Sequence, residues 1–367
     1  MDRILILTNT SGGLYLFRQE LLTRLMETAE VRVLTSDTGR LEQLRELGCR
    51  VTTLEIDRRG TDPRRDLALL RRYVQEIRSW KPDLVISYTI KPNIYGGLAC
   101  RLTGTAYAAN VTGLGTAFDR GGILRSAVTA MYRNALKRAR CVFFENSADE
   151  HVFLQQRIVS PEKSCVLAGA GVNLERFPLE PYRDERTFRF LFMGRVMREK
   201  GVDELFSAMR RLAADGAGCE LWILGGQEED YRRVLRQYSS EGWLRYFGFQ
   251  QDVRPFIRQC QCFVLPSWHE GMANTNLECA ASGLPVITSD IPGCREAVID
   301  GVSGYLCAPR DEESLYQAMK RILSLSAAQR ESMGLAGRAH MEKTFDKTHV
   351  VEKTVERLFV QGVSSIR

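Results

Sequence analysis

Short apolar runs alternate with longer amphipathic stretches along almost the whole chain, and this alternation narrows the fold more than any other feature. Arg3–Thr8, Val31–Thr35, Val51–Ile56 and Leu84–Tyr88 each read as a buried strand. Between them, Leu14–Met26 sets Leu14, Phe17, Leu21, Leu22 and Leu25 at helical spacing, Arg40–Leu47 reads as a second helix, and Asp66–Trp80 is strongly amphipathic. Strands and helices that alternate over short connections build a parallel sheet covered on both faces. Cys141–Glu145 and Ser164–Ala168 close the first such unit, and Phe177–Arg186, rich in Pro and charge, is the expected linker. The logic then restarts with strand Phe188–Met193, helix Val202–Ala214, and strands Glu220–Leu224, Cys262–Leu265 and Val286–Thr288. The pattern predicts two doubly wound α/β domains, 1–180 and 187–345.

At 367 residues the chain can hold two cores. No apolar run approaches a membrane span, and Met1-Asp2-Arg3-Ile4 does not open a signal peptide. Ten scattered cysteines, mostly in apolar surroundings, point to reduced core thiols and a cytoplasmic protein. Four histidines are far apart in sequence and no Asp-x-Asp occurs, so no metal ligand pair is expected. The net charge of +6 lies in the first half, where residues 1–180 hold 26 Lys/Arg against 20 Asp/Glu. The excess gathers at Arg58–Arg72 and Arg120–Arg140, and the second cluster mixes six bases with Ile, Leu, Val, Met and Tyr. Such a segment can lie on an anionic membrane surface, attract a diphosphate, or be an ordinary solvated helix with one core face. No nucleic-acid-binding module appears.

The second domain holds the most informative stretch, Pro266–Gly283, PSWHEGMANTNLECAASG. A strand ends at Pro266, a polar loop follows, and a helix starts near Asn274 or Thr275, either of which can cap it. The first free N–H groups of that helix face the loop Glu270-Gly271-Met272-Ala273 and form a ready anion site. Glu270 and Glu278, eight positions apart, flank it. Carboxylates beside an anion site suit hydroxyl donors, so a ligand with central phosphates and a sugar at each end fits. The plain alternative is two solvated glutamates. Upstream, Gly194-Arg195 and Lys200-Gly201 put two bases where they can converge on a diphosphate. Tyr246-Phe-Gly-Phe249 is either a core strand or a place for a nucleotide base.

In the first domain, Gly12-Gly13 lies between the first strand and helix, where the backbone can approach a phosphate. No G-x-G-x-x-G follows a strand, which argues against a nicotinamide-dependent enzyme. Two further loops follow strands, Tyr88–Gly96 with Lys91 and Asn93, and Asn110–Phe118 with Thr112 and Gly113. Loops at the carboxyl ends of parallel strands line the ligand crevice of open α/β sheets.

Glu270-x7-Glu278, Ala281–Pro285, Pro292-Gly293-Cys294-Arg295-Glu296, Asp300-Gly301 and Gly194-Arg195-x4-Lys200-Gly201 together resemble glycosyltransferase family 4. That resemblance implies the GT-B fold, two Rossmann-like domains with a cleft between them and a last helix, 346–367, returning to the first domain. It implies a retaining transferase in which Glu270 contacts the donor hexose, Glu278 the ribose, and Arg195 and Lys200 the diphosphate, with Gly13, Gly271–Thr275 and Phe249 also lining the donor. Ser11–Arg18, Lys91-Pro-x-Asn-x-Tyr-Gly, Thr112-Gly-Leu-Gly115 and Phe143-Phe-Glu-Asn146 resemble the branch that adds a sugar, often an N-acetylhexosamine, to a polyprenyl-diphosphate-linked saccharide in bacterial surface-glycan assembly. The implied acceptor side is Lys91, Asn93, Thr112 and Gly113. Many members carry a His after the fourth strand, where this chain has Thr89-Ile90-Lys91, so no role of that His transfers. The expectation is a UDP-sugar as substrate, no cofactor or metal, a lipid-linked glycan acceptor and a place on the cytoplasmic face of an anionic inner membrane. A UDP-sugar epimerase of the same shape, or a non-catalytic nucleotide-sugar or lipid-glycan binding protein, are the alternatives.

Overall fold

Among the described residues thirteen short strands, ten of them largely buried, assemble as the alternation requires. The computed structural model describes residues 1–57, 60, 62–115, 118 and 122–359. Arg58, Arg59, Thr116, Ala117, Arg120 and the tail 360–367, which belong to segments singled out above, lie outside them. The first sheet comprises β1 Arg3–Leu7, β2 Glu30–Thr35, β3 Arg50–Thr53, β4 Leu84–Tyr88, β5 Ala106–Val111, β6 Cys141–Phe144 and β7 Ser164–Val166. All pairings are parallel and the order is β3-β2-β1-β4-β5-β6-β7. The second comprises β8 Phe188–Met193, β9 Cys219–Leu224, β10 Leu244–Gly248, β11 Cys262–Leu265, β12 Val286–Ser289 and β13 Gly304–Cys307, again all parallel, in the order β10-β9-β8-β11-β12-β13. Runs such as Ile4–Leu7 and Leu84–Ile86 are buried on both faces, which is why they read as continuous apolar stretches.

The helices used below are α1 Ser11–Met26, α2 Pro63–Trp80, α3 Gly122–Leu136, α4 Ser147–Gln155, α5 Val202–Ala214, α6 Asn274–Ala281, α7 Ala327–His340 and α8 Lys347–Phe359. Helix α2 begins three residues before the expected Asp66, because Asp62 caps it and Pro63 occupies its first turn.

The chain forms two compact units, Met1–Ala170 with the chain from Thr348, and Gly171–Lys347. Phe177–Arg186 is not an open linker. Phe177 is buried, the Glu180 N–H donates to the Ser282 carbonyl (3.1 Å), and the Glu180 carboxylate accepts from Arg258 (2.7 Å). Phe177 and Glu180 tie the stretch to the second unit, while Pro178, Pro181 and residues 183–186 stay exposed.

The last helix begins at Lys347, one residue after the expected 346, and a break separates it from the helical stretch before it. A π-helical turn, Met341–Phe345, ends at Asp346, whose backbone leaves the helical region (φ −55°, ψ 122°), before α8 begins. Val172 causes the break by pairing with this point, donating to the Phe345 carbonyl (2.8 Å) and accepting from the Lys347 N–H (3.1 Å). Beyond it, Val350, Val351 and Leu358 of α8 join the first unit's core beside Ile4, Leu22 and Phe143. Among the described residues no helix is long and apolar enough to cross a membrane.

Candidate active site

In the second unit the loops after β8 and β11 are locked together by one glycine. Gly201 has a left-handed backbone (φ 71°), and a Cβ there would overlap the Pro266 carbonyl. Its neighbour Lys200 is thereby brought to Glu270, and the ammonium pairs with the Glu270 carboxylate. Ser267 Oγ donates to the same oxygen, Oε1, at 2.7 Å. The Lys200 and Glu270 side chains are 17% and 14% exposed, so the pair is largely shielded but open to a ligand.

Gly293 holds the other side of the loop. Its φ is 83°, and a Cβ would stand 2.6 Å from the Glu270 and Gly271 carbonyls. The Gly293 carbonyl accepts from the Ala273 N–H (2.7 Å), and its own N–H donates to Glu296 (2.8 Å). The Pro-Gly-Cys-Arg-Glu motif is therefore a backbone clamp on Glu270–Ala273.

Neither Asn274 nor Thr275 caps α6, contrary to expectation. Ala273 is the N-cap and no side chain accepts from the first turn. Asn276, one residue further in, is buried and donates to Thr288 Oγ1 (3.1 Å), which itself donates to the Leu265 carbonyl (2.8 Å). Among the described residues Asn274 Oδ1 is buried without a partner. An uncapped, polar helix start anchored from behind is a stronger anion site than a capped one. One turn on, burial pushes the Glu278 carboxyl up to about 7, with Arg176 and Lys347 pulling it back. No hydrogen bond to that carboxylate occurs among the described residues.

Arg195 does not join Lys200. Its guanidinium pairs with Glu228 after β9, both partly exposed, so the two bases expected to converge each hold a separate carboxylate here. Of the stretch Tyr246-Phe-Gly-Phe249, the first three residues belong to β10 and Phe249 stands apart from them. It lies just beyond β10 and is 67% exposed, while Phe247 packs on Trp222 and Phe256, so Phe249 is not a core residue.

In the first unit, Gly13 is the third residue of α1 and its N–H donates to the Thr10 hydroxyl (3.0 Å). The Gly12 N–H donates to Thr38 Oγ1 (3.0 Å), so the expected phosphate-binding N–H groups are already occupied. Asn93 must also be corrected. It is fully buried, accepts from Ser87 (2.7 Å) and donates to the Asn110 carbonyl (2.9 Å), so it braces β4 against β5 and cannot reach an acceptor. Lys91 pairs with Asp66 (2.7 Å), whose other oxygen accepts from Tyr95 (2.8 Å). Thr112 and Gly113 follow β5 in an irregular loop, Gly113 with φ 126°.

Several residues at this edge carried no assigned role in the sequence. Asn9, Thr89 and Asn110 stand at the carboxyl ends of the adjacent strands β1, β4 and β5, and Asn9 Oδ1, Thr89 Oγ1 and Asn110 Oδ1 are buried without partners. Thr89 is held at φ 75°, strained for a β-branched residue and frequent at ligand sites. Arg18 of α1 pairs with Glu145 after β6, both buried, and its guanidinium stands over the Tyr88 ring (5.4 Å). Polar residues ending apolar strands are the signal that could have flagged Asn9 and Asn110. Nothing local marks Glu228 or Arg176, which are distant in sequence from their partners.

Residues 187–325 match the family model described as Glycosyl transferases group 1, and residues 12–168 match the Glycosyl transferase 4-like domain. The chain belongs to these glycosyltransferases. Among its relatives, an N,N'-diacetylbacillosaminyl-diphospho-undecaprenol alpha-1,3-N-acetylgalactosaminyltransferase of Campylobacter jejuni is 26% identical over 88% of this chain and 89% of its own. A UDP-Gal:alpha-D-GlcNAc-diphosphoundecaprenol alpha-1,3-galactosyltransferase of Escherichia coli is 24% identical over 70% of each. The structure of Anabaena Alr3699/HepE in complex with UDP and glucose superposes with a TM-score of 0.80 at 18% identity, covering 98% of this chain and 99% of its own. The fold of this glycosyltransferase is GT-B.

Proposed function

We propose that this glycosyltransferase moves an N-acetylhexosamine from a UDP-sugar to a polyprenyl-diphosphate-linked saccharide in bacterial surface-glycan assembly, at the cytoplasmic face of the inner membrane. The observation that carries the reading is the Lys200–Glu270 pair beside the uncapped start of α6, with Glu278 one turn further. Lys200 and the α6 N–H groups meet the donor diphosphate, Glu270 accepts hexose hydroxyls, and Glu278 accepts the ribose hydroxyls. Arg195 reaches the diphosphate by leaving Glu228, and the exposed Phe249 ring lies against the base. In the first unit, Asn9, Thr89 and Asn110 supply the unsatisfied oxygens that an acceptor hydroxyl needs, Thr112 follows them in the loop after β5, and the Lys91–Asp66 pair stands near the acceptor diphosphate.

In the reaction, the bond from the anomeric carbon to the β-phosphate oxygen breaks as the acceptor oxygen bonds to the same face. The acceptor proton passes to the departing phosphate, and the configuration is retained. The cations of the site stabilise the leaving diphosphate in place of a divalent ion, so EDTA should leave the rate unchanged.

The test is transfer from UDP-GalNAc, UDP-GlcNAc, UDP-Gal and GDP-mannose to a polyprenyl-diphosphate saccharide, with product linkage read by NMR. An N-acetylhexosamine extension with retained configuration is expected. Isomerisation of a UDP-sugar without acceptor would establish the epimerase instead, and UDP binding without turnover would establish a binding protein.

Glu278 gives the binding step a pH signature. Its folded-state carboxyl sits above the ordinary 4.5, at about 7, so below that pH the free protein carries it protonated. Ribose hydroxyls donate to the ionised form, so UDP binding expels the proton and strengthens as pH rises to 7, then levels. UDP should bind about tenfold more weakly at pH 6 than at pH 8, and Glu278→Gln should abolish the slope while costing about 1–3 kcal/mol at pH 8. Calorimetry in buffers of different ionisation enthalpy measures both the affinity and the proton release. A flat wild-type profile would remove Glu278 from the ribose.

A further inference from the structure

We infer that the first unit carries a second anion site, for a phosphate-ester group, at the edge of its sheet opposite the strand ends that hold Asn9, Thr89 and Asn110. A cavity of about 540 Å³ opens there, bounded by the end of α3, the turn after α4 and the loop leading into β7. Four cations line it, Arg133, Lys137, Arg157 and Lys163, with no carboxylate in the lining. Among the described residues none of the four forms an ion pair, although Glu162 stands near enough to Lys163 to feel its charge. The floor is apolar, with Leu136 and Ile158 buried. Like charges around one small cavity repel, and an anion reverses that cost.

The backbone supplies the independent argument. Arg157 follows α4 at φ 50°, donating to the Leu154 carbonyl (2.9 Å), while the Ile158 N–H donates to the Phe153 carbonyl (2.9 Å). This is the Schellman helix stop, whose left-handed residue is favoured as glycine. An arginine there is strained, and strained residues collect at ligand clamps. The turn is also braced. Arg133 donates to the Gln156 carbonyl (2.7 Å), and Lys163 Nζ donates to the Lys137 carbonyl (3.0 Å). Two bases thus set the walls, leaving the Lys137 ammonium and the Arg157 guanidinium with no hydrogen bond among the described residues. A phosphate between two such cations, with its ester carbon over Leu136 and Ile158, matches the lining.

The ligand is a phosphate ester in either case, whether a lipid headgroup or a soluble molecule. With the donor site filled by saturating UDP throughout, co-sedimentation with phosphatidylglycerol and with phosphatidylcholine vesicles is measured beside the Tm shift given by pyrophosphate, with chloride at equal ionic strength as control. Arg157→Gly and Lys137→Gln are the variants, since glycine relieves the strained turn and the Lys137 ammonium supports nothing in the fold. The wild type should prefer phosphatidylglycerol, respond to pyrophosphate, or both, and the double variant should lose that response by about tenfold or more. Pyrophosphate that releases the protein from vesicles identifies the headgroup, and a Tm shift without vesicle binding identifies a soluble ligand. A wild type with neither response, or a folded double variant that keeps its response, overturns the site. Transfer to a short-chain soluble acceptor, measured in parallel, should be unchanged in both variants, so failure here is separable from failure of the transferase reading.

Discussion

Lys200→Ala should lower kcat for sugar transfer by about 10²–10³-fold, with a smaller change in KM. The ammonium is held on Glu270 because Gly201 lets the backbone press against Pro266, and that placement exists before any ligand arrives. Charge on the departing diphosphate grows only as the glycosidic bond breaks, so a preset cation acts mainly on the transition state. Removing it also strips Glu270 of its counter-ion, leaving only Ser267 on a shielded carboxylate that now repels the donor phosphates. The two losses share one cause. A Lys200→Ala/Glu270→Ala double variant should therefore be little slower than the worse single variant. Lys200→Arg should recover only part of the rate, because a planar fork does not fill the position of a compact ammonium beside Ser267. Steady-state kinetics with saturating acceptor measure all three. A Lys200→Ala enzyme within about threefold of the wild type in kcat would place the diphosphate elsewhere, with Arg195 and Arg198 the remaining cations of that loop.

Most of the fold was legible because parallel strands buried on both faces leave unbroken apolar runs, while the edge strand β13, Gly304–Cys307, went unread. The donor loop was legible because its parts are contiguous. Glu270, the start of α6 and Glu278 lie within nine residues, and the glycines beside them are fixed by close backbone approach. What the sequence did not reveal depends on distant partners. Asn93 falls in a stretch that reads as a loop and looks available, yet it sits in a helical turn where Ser87 and Asn110 consume both ends of its amide. Asn274 and Thr275 are good capping residues by type, but anchoring Asn276 to Thr288 turns the loop so that Ala273 takes the cap position. Arg195 has an acid partner contributed by the loop after another strand. Local chemistry identifies a residue's capacities, and the fold decides which of them are already used.

Arg18→Met should destabilise the protein by about 3–5 kcal/mol, the largest loss expected from any single change at this edge. Both members of the Arg18–Glu145 pair are 7% exposed, and burial raises the Glu145 carboxyl against the pull of Arg18. Without Arg18 that carboxylate would be an isolated buried charge beside Tyr88, and its pKa would rise further. The sign of the pH dependence follows. A raised folded-state pKa costs stability above the unfolded value, fully so above the folded one, so the variant should recover part of its loss as pH falls and Glu145 takes up a proton. Glu145→Gln introduced into Arg18→Met should restore most of the lost stability, because a neutral amide is far less costly to bury than an unpaired charge. Urea denaturation at pH 8 and pH 5.5 tests the cycle, and additive losses in the double variant would mean the two residues act independently. The pair joins α1 to the loop after β6 across the carboxyl edge of β1, β4 and β5, where Asn9, Thr89 and Asn110 keep unsatisfied oxygens. If those oxygens serve the acceptor, the double variant should fold and bind UDP normally yet show a raised KM for the lipid-linked saccharide. A double variant with wild-type kinetics would make the pair a brace for the fold alone.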